Sequence, residues 1–212
     1  LKDVRVRDIV EFSYSVRGTN PVFEGKFFAA VPVQHSVPVH RLLTRVLWPT
    51  ARKLQLKNHA CAAVPQKRVA GEITEYVWDF RNVAALPAED SLPAWLDADP
   101  WVQLSEFQRW AEVARWAVTL FAGDAPLPAE LQAKVGEWKR KGSSEQQVAA
   151  ALHFIQDEVR YFGVEMGSGS HRPSPPDEVF RRRFGDCKDK ALLFVRVLRA
   201  LGFEAQPVLV SS

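Results

Sequence analysis

Residues 183–191 read Arg183-Phe184-Gly185-Asp186-Cys187-Lys188-Asp189-Lys190-Ala191, and Leu192, Val195, Leu198 and Leu201 then recur at helical spacing before Gly202. A helix therefore starts at the cysteine and stops at the glycine. Asp186 is a natural N-cap, because its carboxylate can take orphan amide hydrogens of the first turn, and Asp189 three residues on completes a capping box. Cys187 then stands at the start of a helix whose later turns are apolar, at the edge of a core. The amide groups and dipole of a helix start favour a thiolate over a thiol, and Lys188 and Lys190 are near enough in sequence to add positive charge. Most free cysteines are small buried hydrophobes. The Gly185-Asp186 pair and the cap argue for a reactive one here.

Upstream of this helix, the glycine- and proline-rich stretch 163–176 reads as a loop, and His171 is the one histidine it carries. Ser143 or Ser144 caps a preceding helix with a stripe of Val148, Leu152, Ile155, Val159 and Phe162. Pro128 to Lys141 forms another helix, closed by Gly142, and Asp99-Pro100 reads as the start of a first one that carries Trp101 and Leu104. Residues 87–100, rich in Pro, Ala, Asp and Glu, suit a linker. Before them the pattern changes to strands: Ile9 to Val16 alternates apolar and polar residues, Gly18-Thr19-Asn20-Pro21 supplies a turn, and a second strand is expected from Phe23. Phe27 to Val33, Val39 to Leu47, Leu54 to Leu56 and Ile73 to Phe80 continue it. Beyond Gly202, Phe203 to Val210 reads as a strand entering a buried sheet. The expected class is α+β: a β-rich domain over 1–86, a linker over 87–100, and a helical region with the cysteine over 101–212.

The 212 residues are 47% hydrophobic, with 7 Trp and 13 Phe, which is ample for packed cores. The net charge of +3 arises from 28 basic and 25 acidic residues spread evenly, so no one-sided basic surface for nucleic acid is expected. The basic runs Arg181-Arg182-Arg183 and Lys139-Arg140-Lys141 read first as solvated faces, with an anion site as the sharper alternative. Two distant cysteines provide neither a disulfide framework nor a CxxC metal pair, and Cys61 reads as packing. No apolar run reaches a membrane span. Gly167-Ser168-Gly169-Ser170 lacks the strand and helix of a phosphate loop, and Asp97, Asp99, Asp177 and Asp186 are accounted for by helix starts.

The run from Arg160-Tyr161-Phe162 through Arg172-Pro173, Pro176-Asp177-Glu178-Val179 and Gly185-Asp186-Cys187-Lys188-Asp189-Lys190-Ala191, ending in Leu201-Gly202-Phe203-Glu204-Ala205 and Val208-Leu209-Val210, resembles the first half of the transglutaminase-like, papain-type core. Residues 8–49, with Tyr14-Ser15-Val16 and Gly18 to Phe23, resemble a β-rich domain of unknown function that precedes this core in many bacterial proteins. The resemblance implies that Cys187 is the nucleophile of a thiol acyl-transferase or cysteine peptidase or amidase, working through a thioacyl-enzyme on a protein or peptide substrate. Asp186, Lys188, Asp189 and His171 would support or line the cleft. No cofactor and no metal is called for. The histidine base and its aspartate or asparagine partner are expected beyond Ser212, so this fragment is expected to be inactive, and its last strand to be open to self-association. The resemblance also implies a bacterial periplasmic or cell-envelope location. A rival reading makes the chain a non-catalytic binding or scaffold module of that envelope.

Overall fold

The computed structural model describes residues 3–87, 99–123, 126–163 and 166–210. The class is α+β: two three-stranded antiparallel sheets come first and a helical region follows. In the first sheet β1 (Phe28–Pro32) and β3 (Gln55–His59) flank β6 (Trp101–Ser105), with Val31 opposite Val102 and Leu56 opposite Leu104. In the second, β2 (Val39–Pro49) and β4 (Gln66–Ala70) flank β5 (Ile73–Val83). Alternation along β5 sends Thr74, Tyr76 and Trp78 inward. Tyr76 and Trp78 join Trp48, Val31, Val102 and Leu104 in one core, the two sheets facing each other through period-two side chains.

Trp101–Ser105, expected to open the first helix, is instead the central strand of its sheet. Asp99-Pro100 looks locally like a helix start, but Val102, Leu104 and Ser105 are buried, and the slot between β1 and β3 satisfies both backbone edges of the segment. Just beyond β6, Glu106 accepts from the amide of Phe27 at 2.7 Å and from Arg52. Partial burial opposes ionisation of this carboxylate, but the hydrogen bonds from Arg52 and Phe27 outweigh it and hold the group below the ordinary carboxylate range. Because β6 is paired on both sides, cleavage at a protease site introduced between Leu86 and Asp99 should leave the two pieces associated on size exclusion. Separate elution of an N-terminal piece would contradict the central placement of β6.

The Ile9 to Val16 alternation does not produce a strand. These residues form no regular element and join no ladder among the described residues, with Ile9, Phe12, Tyr14 and Val16 exposed and the Phe12 and Tyr14 rings stacked at 6.4 Å. Alternation sets which side chains share a face, but a ladder also needs a neighbouring edge. Where a second strand was expected from Phe23, the chain makes a 3₁₀ turn over Pro21–Phe23 capped by Asn20. Phe203 to Val210 likewise finds no ladder among the described residues, and Val208 and Val210 are exposed. Residues 88–98 of the expected linker, with Asp97, lie outside the described residues, as do Leu1, Lys2, Ser211 and Ser212.

The helical region comprises α1 (Trp110–Leu120), α2 (Ala129–Lys139), α3 (Ser144–Glu158), α4 (Pro176–Arg182) and α5 (Cys187–Leu201). Ser143 caps α3 in a full capping box with Gln146, while α2 ends at Arg140, short of Gly142. The buried stripe of α3 is Ala151, Phe154 and Ile155, followed by Val159, and Leu152 and Phe162 face outward. These pack on Leu131, Val135 and Trp138 of α2, on Val179 and Phe180 of α4, and on Leu193, Val197 and Leu201 of α5. Each fully buried Leu or Val contributes about 2 kcal/mol. That core fixes α5 as a rigid platform, with its N-terminus at the core's edge.

Candidate active site

The first turn of α5 is built as its sequence predicts. Asp186 Oδ1 accepts from the amides of Lys188 at 3.2 Å and Asp189 at 3.3 Å, and Asp189 Oδ2 accepts from the Asp186 amide at 3.3 Å. At the other end Gly202 adopts φ +103° and closes the helix, a conformation a Cβ disfavours. Cys187 occupies the first helical position and its side chain is exposed. The amide of Lys190 bonds to the carbonyl of Asp186 at 2.9 Å. Among the described residues no acceptor takes the Cys187 amide, as is usual for the first N–H groups of a helix.

The flanking lysines serve other ends than the thiol. Lys188 pairs through its ammonium with Asp186, a side chain only 4% exposed. Lys190 donates to the carbonyl of Val159 at 2.7 Å and so ties α5 to the end of α3. Both were expected to add positive charge at the sulfur. The two ammoniums are thus engaged by a carboxylate and a carbonyl of the fold.

Asp189 is buried and collects three donors: its own cap partner, the Ser174 amide at 2.6 Å and Arg182 Nη2 at 2.7 Å. Arg182 also donates to Ser174 Oγ at 3.1 Å, Glu178 at 3.0 Å and the Phe184 carbonyl at 2.7 Å, and lies over the Phe184 ring. Arg183 is in the left-handed region at φ +57° and covers Phe180 and Phe154. Two arginines of the 181–183 run thus lie against aromatic rings of the fold. Arg182 and Ser174 are the supporting residues that sequence reading missed, since their roles arise only when the loop, α4 and α5 meet.

A short parallel pair, β7 (Arg160–Tyr161) with β8 (Phe184–Gly185), aligns the segment before the cysteine. The Phe162 amide extends it by donating to the Gly185 carbonyl at 3.0 Å. Gly185 is required by close approach: a Cβ there would lie 2.7 Å from Asp189 Cβ. His171, expected near the cleft, is held by Ser170 Oγ at 2.7 Å from Nδ1 and by the rings of Phe23 and Trp116 at 4.8 and 5.7 Å. Cys61 is half-buried and its thiol donates to the Trp101 carbonyl at 3.4 Å. Among the described residues no group of three or more metal-ligating side chains exists, and no helix is long and apolar enough to cross a membrane.

Two stretches of the chain resemble known families. Residues 131–211 match the model of the transglutaminase-like superfamily, and residues 1–87 match that of a domain of unknown function, DUF3857. In chain order, a stretch that matches DUF3857 is followed by one that matches the transglutaminase-like superfamily. A crystal structure of a "putative protease" from Parabacteroides distasonis is similar with a TM-score of 0.72 at 16% identity, over 85% of this chain and 35% of that one. At that identity the likeness is one of fold, and this chain spans about a third of that protein's length. No curated protein matches the sequence.

Proposed function

We propose that Cys187 is the nucleophile of a thiol acyl-transfer reaction, cysteine peptidase, amidase or transglutaminase in kind, carried out by the transglutaminase-like domain. The observation that carries this reading is an exposed cysteine at the first position of a doubly capped helix whose body is anchored in the core. In the step proposed, the Cys187 sulfur attacks an acyl carbonyl, the C–S bond forms, and the C–N bond breaks as the amine leaves with a proton. Water or a second amine then cleaves the thioester and regenerates the thiol. The Cys187 amide is the natural donor to the oxyanion, a contribution of about 3–4 kcal/mol in comparable sites.

The general base in this proposal is a histidine, and none of the five in residues 1–212 is assigned to that role. His59 stacks on Trp101 at 4.0 Å, His171 is wedged between aromatic rings, His35 and His40 belong to the β-rich part, and His153 is on the exposed side of α3. The substrate class that fits is a protein or peptide, presented to a nucleophile at the surface of the fold.

Two measurements on this chain test the assignment without a base. In the folded protein iodoacetamide should label Cys187 faster than the half-buried Cys61. Incubation with p-nitrophenyl acetate should leave an acetyl thioester on Cys187, released by hydroxylamine and located by mass spectrometry. Acetylation confined to lysines or to Cys61 would instead favour a binding module.

A further inference from the structure

The loop preceding α4 is anchored at both ends, and the anchors come from different parts of the chain. Its far end is the Ser174 amide, bonded to Asp189 in the first turn of α5. Its near end is bound by the N-terminal segment: Asn20 Nδ2 donates to the Gly167 carbonyl at 2.6 Å and to Ser170 Oγ at 2.8 Å. The same side chain accepts from the Val22 amide at 3.1 Å through Oδ1 and so caps the Pro21–Phe23 turn. Phe23, buried, meets His171 edge-on and stacks on Trp116 at 5.2 Å, and the Trp116 indole donates to the Val22 carbonyl at 2.7 Å. Val22, Phe23 and Leu120 close this contact as a small core of their own.

We infer that the Asn20–Phe23 turn is a positioning element for the nucleophile, holding the loop whose other end is bonded to the helix that Cys187 opens. The inference rests on the reading of Cys187 as nucleophile. It gives the DUF3857-matched segment a part in the catalytic domain in place of a separate binding task. The residue type at position 20 is the telling feature. Ser or Asp would cap the turn equally well, but neither also offers two N–H donors, and only an amide side chain accepts at one atom and donates twice at the other. Asn20 is thus suited to linking two segments, beyond ending one. His171, by its packing, belongs to the same joint and acts as a positioning residue in it.

Asn20→Asp keeps the acceptor that caps the turn and replaces both donors by an oxygen facing the Gly167 carbonyl. Phe23→Leu keeps an apolar plug and removes the ring contacts. In each variant two quantities are read: amide hydrogen exchange of residues 167–174, and the rate of iodoacetamide alkylation at Cys187, with circular dichroism confirming the fold. Exchange is expected to rise about fivefold for each hydrogen bond lost, and the Cys187 alkylation rate to move with it. Arg41→Ala, which breaks an exposed ion pair with Asp79 elsewhere in the β-rich part, is expected to change neither. A Cys187 rate equal to that of the unsubstituted protein in both Asn20→Asp and Phe23→Leu overturns the inference, whatever the exchange does. These readouts do not require turnover, so failure of the thioester test and failure of this coupling are separable results.

Discussion

In the protein extended through a complete transglutaminase-like core, Cys187→Ala is expected to lower acyl-transfer turnover by at least about 10⁴-fold while leaving the fold intact. The size follows from losing the covalent route altogether, since no other side chain can occupy the sulfur's place at the helix start. The fold survives because Cys187 contributes little to it: Asp186 and Asp189 supply the cap, and the cysteine side chain is exposed. Cys187→Ser should be nearly as damaging, because a hydroxyl is far less acidic and less nucleophilic than a thiol, even beside a base suited to the thiol. Residues 1–212 alone are expected to accept an acetyl group from an activated ester and to turn over no amide. The readouts are incorporation of a fluorescent primary amine into a glutamine-bearing protein and hydrolysis of a peptide amide. An alanine variant that retains turnover in either assay removes Cys187 from the mechanism.

How much of this was legible in the sequence differs by residue, and the differences have physical causes. Every signal for α5 is local: the Asp186 cap, the Asp189 return contact, the apolar spacing and Gly202 all lie within one helix's length, so the sequence pattern and the structure agree. For β6 the deciding interactions are not local. Trp101–Ser105 is a strand because β1 and β3, far earlier in the chain, offer it two edges, and nothing in Asp99-Pro100 records that. Lys188 shows the same limit at side-chain scale. Sequence placed an ammonium next to the thiol, but a buried carboxylate two residues away holds it more strongly. Arg182 read as one charge of a solvated run, yet α4 turns it toward Asp189 and the Phe184 carbonyl. Asn20 read as a turn residue, which it is, and its second use became visible only when residues 167–170 were placed beside it.

The largest expected effect on stability is at Asp189. Its carboxylate is an acceptor-only site onto which three N–H donors converge, from Ser174, Arg182 and Asp186. Asp189→Ala strands all three in a region where the aspartate side chain is 6% exposed, and is expected to cost about 3 kcal/mol. For a chain of this size that lowers the thermal midpoint by roughly 10 °C. Arg182 is 23% exposed, so water screens part of its attraction to Asp189, and most of the loss comes from unpaired donors and not from the ion pair as such. Asp189→Asn separates the two contributions. It keeps the shape and one acceptor for Ser174, but turns an NH₂ toward Arg182 and the Asp186 amide, so it should be nearly as destabilising as alanine. Glu178→Ala removes the other, more exposed partner of Arg182, at 45% exposure, and should cost less than about 0.5 kcal/mol. Urea unfolding of the three variants, with Arg182→Ala and the Arg182→Ala/Asp189→Ala double variant to close a cycle, measures each quantity. If Asp189→Ala unfolds within about 1 kcal/mol of the parent, the network does not hold the Ser174 loop against α5. The loop's position beside the first turn of α5 would then need another cause.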